Sequence, residues 1–171
     1  MSDERHVEIE RKYLIRYPDI STLLAQKGVE QWEIVQIYLT AAGPGETRRI
    51  RQIVSGGEIR YFKTLKRRIS GMSNVESEVE IDQMEYIDLS REMQPGCKPL
   101  GKTRYRIPYA GHVLEFDIYP FWKDRAILEI ELDRESEGAA IPEYVRIIRD
   151  VSNDFAYKNR QLAENVVYEE I

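Results

Sequence analysis

The sequence predicts an α+β fold that is mainly β, an eight-stranded antiparallel β-barrel with flanking helices. Three observations lead there. Eight runs alternate in side-chain character with the period of two that marks a β-strand, at roughly 6–15, 31–40, 46–54, 58–67, 74–82, 101–109, 112–119 and 126–133. Glycine-containing pairs, Gly56-Gly57 and Gly111-His112, fall between consecutive runs where hairpins turn. In most runs one face is charged and the other apolar. If the apolar rows pack outward against helices, their burial fixes the register and aims the charged rows at the concave side of the sheet.

Length and composition agree with one domain over 1–171: 42% of the residues are hydrophobic and 32% charged, enough for a core. The formal net charge of -5 speaks against a surface that binds nucleic acid through bulk electrostatics. Cys97 is the single cysteine, so no intrachain disulfide forms. With neither a signal peptide nor a long apolar run in view, a cytoplasmic location without membrane contact is expected.

Between the strands, Pro18-Asp19-Ile20-Ser21-Thr22-Leu23-Leu24 predicts a short helix after the first. Asp82 with Glu85 three residues on predicts a capped helix after the fifth. Pro142 is placed to open a third helix through Ile147-Ile148, and the tail from Asn153 to Asn165 reads as helical.

The rows expected to face inward separate by sign. In the opening run Glu8, Glu10 and Lys12 share one face, and Val7, Ile9 and Tyr13 share the other with Arg11. Anion-binding groups recur at spacing two as Gln36 and Tyr38, Arg49 and Arg51, Thr64 and Lys66, and Lys102, Arg104 and Arg106. Cation-binding groups recur as Glu76, Glu78 and Glu80, then Glu115 and Asp117, then Glu129, Glu131 and Asp133. The partner rows hold Val35, Ile37 and Leu39, Val79 and Ile81, Phe116 and Ile118, and Leu128, Ile130 and Leu132.

A barrel of this size has room for one small ligand. An interior of like charges needs counter-charges, because two of them ~4 Å apart repel by roughly 4 kcal/mol at an effective dielectric of about 20. Pairing between the basic and acidic rows offsets part of that. A hydrated divalent cation on the carboxylates and a polyanion on the bases offset more.

Taken in order, these residues resemble the CYTH superfamily, the triphosphate tunnel metalloenzymes, which includes bacterial tripolyphosphatases, thiamine triphosphatases, class IV adenylate cyclases and fungal RNA triphosphatases. The opening strand is similar to the family's ExExK signature. The resemblance runs nearly end to end, through Gln36 and Tyr38, Arg49 and Arg51, Thr64-Leu65-Lys66, Glu76 and Glu78, Lys102-Thr103-Arg104-Tyr105-Arg106, Asp117 and Glu129-Ile130-Glu131. It closes on Tyr157-Lys158-Asn159-Arg160-Gln161-Leu162-Ala163, like the family's last helix.

The resemblance implies a single CYTH domain and a linear triphosphate held in the barrel by Lys12, Arg49, Arg51, Lys66, Arg104 and Arg106. It implies Mg²⁺ or Mn²⁺ on Glu8, Glu10, Glu129 and Glu131, with a second ion near Glu76, Glu78 and Asp117 supplying a bound water as nucleophile. Alternatively Lys102, lowered in pKa by cationic neighbours, and Tyr38 orient water or the leaving group. Lys12, Lys66, Lys102 and Tyr38 are therefore the candidate catalytic groups.

Hydrolysis of inorganic tripolyphosphate is the favoured activity, because the inward groups address only phosphate or metal and the tunnel is expected to run through the barrel. A class IV adenylate cyclase, a thiamine or nucleoside triphosphatase, and a non-catalytic polyphosphate- or nucleotide-binding module are the alternatives. The acidic rows speak against the last, since a pure anion binder gains nothing from them. Glu80, Glu115 and Asp133 read as rim residues, Lys63, Arg67 and Arg68 as a solvated turn, His6 and His112 as surface, and Trp32 and Trp122 as core or rim. A small-molecule triphosphate is the expected partner, with no nucleic acid and no membrane, and a homodimer is left open.

Overall fold

The structure, a computed structural model, describes residues 5–171. Eight strands build the barrel: β1 (Arg5–Arg16), β2 (Glu30–Leu39), β3 (Glu46–Ser55), β4 (Glu58–Arg68), β5 (Ser73–Ile81), β6 (Leu100–Tyr109), β7 (His112–Ile118) and β8 (Arg125–Leu132). Each falls on its predicted run. They pair in the order β5-β4-β3-β2-β6-β7-β8-β1, and β1 returns to β5 to close the cylinder. All these pairings are antiparallel.

The closing strand has a divided edge. One side of β1 pairs with β8 from Ile9 to Arg16. On its other side Arg5–Ile9 pairs with β5, whereas Tyr13–Ile15 pairs with a short ninth strand, β9 (Ile147–Asp150). Between them, Glu10 N donates to Met72 O at 3.1 Å and Val151 N to Lys12 O at 2.9 Å, so the split is bridged by backbone hydrogen bonds.

The third predicted helix is corrected here. Pro142 opens only a turn, in which Val145 N donates to Pro142 O at 3.0 Å, and Ile147-Ile148 become β9 because the free edge of β1 offers ladder partners. The tail is also not one helix. A 3-10 turn (Phe155–Tyr157) and a short α3 (Asn159–Leu162) are separated by Lys158, whose backbone is extended at φ -68° and ψ 137°. The other two helices form as expected, α1 (Ile20–Leu24) capped by Asp19 and α2 (Gln83–Ser90) capped by Asp82, which accepts from Glu85 N at 2.8 Å.

Both hairpins use left-handed backbone, with φ of 58° and 80° at Gly56-Gly57 and 48° and 83° at Ala110-Gly111. The second turn lies one residue earlier than expected, and His112 already belongs to β7. Two positive φ values in succession match the right-handed twist of the strands they join.

Three apolar clusters then fix which way the charged rows point. Outside the barrel, Tyr105, Ile107, Leu114, Phe116, Leu128 and Ile130 pack with Leu23 of α1. Also outside, Ile37, Leu39, Ile50 and Ile81 lie beneath Tyr86 and Leu89 of α2. The third cluster contains inward-facing Leu14, Tyr38, Leu100, Tyr119 and Ile127, packed with Val151, Tyr157 and Leu162 of the tail. That end of the interior is filled with side chains, which corrects the expectation of a tunnel open from end to end. No helix among the described residues is long and apolar enough to cross a membrane.

Candidate active site

The rest of the interior is a cavity of about 600 Å³ lined by inward residues of β1 to β8. Glu8, Glu10, Lys12, Tyr38, Arg49, Arg51, Lys66, Glu76, Glu78, Arg104, Arg106, Glu129 and Glu131 all line it. Strand parity alone thus assembles thirteen of the fifteen candidates into one chamber. Lys102 and Asp117 lie behind its wall, fully buried, with Lys102 Nζ 2.6 Å from Asp117 Oδ2.

Cross-strand ion pairs organise the charges. Arg104 is the hub: its guanidinium reaches Asp117 at 2.7 Å, Glu129 at 2.7 Å and Glu115 at 3.0 Å. Lys12 Nζ sits 3.0 Å from Glu129, Lys66 Nζ 2.6 Å from Glu8 and 3.0 Å from Glu76, and Arg51 2.8 Å from Glu78. Arg106 stands at the mouth, 3.1 Å from Glu115 and 4.4 Å above the Trp32 ring. Glu115 is therefore part of the network and not a mere rim residue.

Arg49 differs from its neighbours. It is buried, its ion pair to Glu78 is 4.0 Å long, and its side chain makes no hydrogen bond among the described residues, Nε being buried without a partner. Its neighbour Arg51 also leaves Nε without a partner. Guanidinium donors facing a cavity with no internal acceptor are suited to the oxygens of a phosphate.

Protonation follows from burial and neighbours. Burial alone would pull Lys12 down, but Glu129 and Glu10 outweigh it and hold the ammonium above its usual range. Burial would raise Glu129, yet Lys12, Arg104 and Lys102 keep it well below the ordinary carboxylate value. Glu10 goes the other way, pushed up to about 8 by burial and by Glu129. Burial and Glu8 likewise raise Glu131. Lys102 is pulled down to about 8 by burial and by Arg104, with Asp117 opposing.

Among the described residues no three Asp, Glu, His or Cys side chains already converge as a metal site. Glu76, Glu78 and Asp117 each face a different base, so the structure does not bring them to one point. The acids of β1 and β8 nonetheless suit a hard divalent cation. They offer only oxygen donors, Glu10 is directly opposed to Glu131 in the ladder, and Glu131 has no ion pair among the described residues. A cation there favours the ionised form that burial and like charge now disfavour.

Of the cavity residues in the C-terminal segment, the sequence reading named Lys158, Asn159 and Arg160 only as part of the closing helix and not as site residues, and it named neither Phe155 nor Ser70, Gly71 and Met72 of the β4–β5 turn. Arg68, read as part of a solvated turn, lines the cavity too. Lys158 ties the two segments together, donating to Gly71 O at 3.0 Å and to Ser152 O at 2.7 Å. The likeness of residues 157–163 to the family's closing helix and the basic character of Lys158 and Arg160 were the signals available, because neither residue lies in an alternating run.

No protein-family model matches the chain, and no curated protein matches it in sequence. Solved structures do. A crystal structure of the inorganic triphosphatase NE1496 is 27% identical over 93% of this chain and 95% of that one, with a TM-score of 0.55. Another structure of NE1496 matches at 27% identity over 94% and 99% of the two chains, with a TM-score of 0.57. The PH1819 protein of Pyrococcus horikoshii OT3 is 22% identical over 75% of this chain and 80% of that one, with a TM-score of 0.60, a likeness of fold alone. With a closed eight-stranded antiparallel barrel, an inward ExExK strand and NE1496 among its structural neighbours, the chain fits the CYTH superfamily.

Proposed function

We propose that this chain hydrolyses a linear triphosphate inside its barrel, with inorganic tripolyphosphate as substrate and Mg²⁺ or Mn²⁺ as cofactor. The observation that carries the reading is Arg49, buried on the cavity wall with guanidinium donors that no described residue satisfies. The likeness to NE1496, named an inorganic triphosphatase, supports triphosphatase activity at the level of the family.

In this reading Arg49, Arg51, Lys66, Lys12, Arg104 and Arg106 hold the phosphate oxygens and draw charge from the phosphoryl group in flight. Its loose transition state needs mainly positioning and electrostatic stabilisation. Glu8, Glu10 and Glu131 hold the cation together with Glu129, whose carboxylate also anchors Lys12 and Arg104. When bound, the cation neutralises phosphate charge and lowers the pKa of a coordinated water. Tyr38 lies on the cavity wall at the edge of the apolar plug, where its hydroxyl can orient water or a terminal phosphate. Lys102 acts from behind the wall through Asp117 and Arg104.

Two features favour the inorganic substrate over a nucleotide. The cavity closes on an apolar plug at one end. At the mouth, one face of Trp32 is covered by the Arg106 guanidinium and is not free to stack on a base. A phosphate-release screen of tripolyphosphate, ATP and thiamine triphosphate, with and without Mg²⁺ or Mn²⁺, tests the assignment. Release confined to thiamine triphosphate, or none from any substrate, overturns it.

A further inference from the structure

Gln36 is fully buried on the inner face of β2, between Arg51 of β3 and Leu100 of β6 in the ladder. Its Nε2 donates to Tyr38 Oη at 3.0 Å, and its Oε1 is buried without a partner among the described residues. A residue kept only for packing would be apolar here, since a buried carbonyl without a donor is costly. The amide is thus retained for what its NH₂ does.

We propose that Gln36 is a positioning residue that fixes the polarity of the Tyr38 hydroxyl. An amide NH₂ can only donate, so the lone pair of Tyr38 that faces Gln36 is occupied and the phenolic proton must go to another acceptor. Tyr38 lines the cavity whereas Gln36 does not, so the proton points toward whatever oxygen lies there, a phosphate or the attacking water. Arg51 next to Gln36 explains why the amide is neutral and not a carboxylate: an ionised acid would pair with Arg51 and accept from Tyr38, turning the hydroxyl away from the cavity. The role stated for Tyr38 rests on the triphosphatase reading, but the contact with Gln36 does not.

The experiment uses the full chain with tyrosines ¹³C-labelled at Cζ, the Tyr38 signal being identified by its loss in Tyr38→Phe. Gln36→Met removes the donor at similar volume, and Gln36→Glu reverses the hydrogen bond. Both variants should shift the Tyr38 signal in the same direction, toward phenolate character and further in Gln36→Glu than in Gln36→Met, with the other tyrosines unmoved. In tripolyphosphate hydrolysis Gln36→Met should lower kcat by ten- to a hundredfold with little change in KM, and Gln36→Met/Tyr38→Phe should be no slower than Tyr38→Phe alone. A Tyr38 signal indifferent to both variants overturns the inference, as does a double variant slowed by the product of the two single effects. If the signal shifts as expected but wild type hydrolyses no triphosphate, the hydrolase assignment fails and the contact stands.

Discussion

Glu10 on β1 and Glu131 on β8 face each other directly across an antiparallel ladder. Opposed like charges weaken a strand pair, and both carboxyls are held above their usual range, Glu10 by burial and Glu129 and Glu131 by burial and Glu8. The fold disfavours ionising both carboxyls at this point, a cost that a bound divalent cation would relieve.

Glu10→Gln should therefore abolish turnover, leave the fold intact and raise the melting temperature in EDTA. The pH dependence has a definite sign. Glu10 rises from 4.5 to about 8 in the fold, so its contribution to stability is fully present below pH 4.5 and is lost as pH rises through about 8. In EDTA, wild type should lose stability relative to Glu10→Gln across that window, and Mg²⁺ at pH 8 should recover it in wild type only. Thermal melts at several pH values check this, and full activity of Glu10→Gln in excess EDTA contradicts it.

Arg49 and Arg104 should separate binding from stability. Arg104→Ala takes one cation from each of Asp117, Glu115 and Glu129, leaving them Lys102, Arg106 and Lys12, and should cost on the order of 3 kcal/mol in urea unfolding. Arg49→Ala breaks no short pair and should change stability little, yet weaken tripolyphosphate and ATP alike by about 1.5–3 kcal/mol. Arg51→Ala and Arg106→Ala should also weaken both ligands by similar factors in calorimetric titration. A variant that loses ATP but keeps tripolyphosphate would place a nucleoside contact at that arginine.

Lys102 offers a pH test of the rate. Held at about 8 by burial and Arg104, it should give kcat a limb that rises through that pH and vanishes in Lys102→Met. A limb that persists in the variant assigns the titration elsewhere and leaves Lys102 as the counter-ion of Asp117.

Gly71 tests the latch between the β4–β5 turn and the C-terminal segment. A Cβ there would stand 1.7 Å from Asn153 Oδ1, so Gly71→Ala must displace the asparagine. Because Asn153 is exposed and its amide can swing away, the cost should be no more than about 0.5 kcal/mol, and Asn153→Ala should remove it. Unfolding curves of both single variants and the double variant decide.

Most of the barrel strands were legible because one face is buried, which enforces period-two patterning; β4, in which only Thr64 is buried, was legible from the alternation of its sequence instead. The four residues Ile147–Asp150 were not, since their strand form comes from the free edge of β1 and not from their own pattern. At the site, parity alone placed Glu8, Arg49 and Lys66 on one wall. It could not tell that Asp117 is taken by Lys102 and Arg104, because that pairing depends on cross-strand register and depth. Lys158 was named only within the closing helix, and its place in the cavity was not foreseen because its backbone breaks that helix and its side chain reaches Gly71, distant in sequence.

The most direct measurement is kcat/KM for tripolyphosphate and for ATP with Mg²⁺, with cyclic AMP assayed in parallel. The expected result is a higher value for tripolyphosphate, loss of activity in EDTA and no cyclic AMP. A higher value for ATP with cyclic AMP as product would contradict it and make this barrel a cyclase.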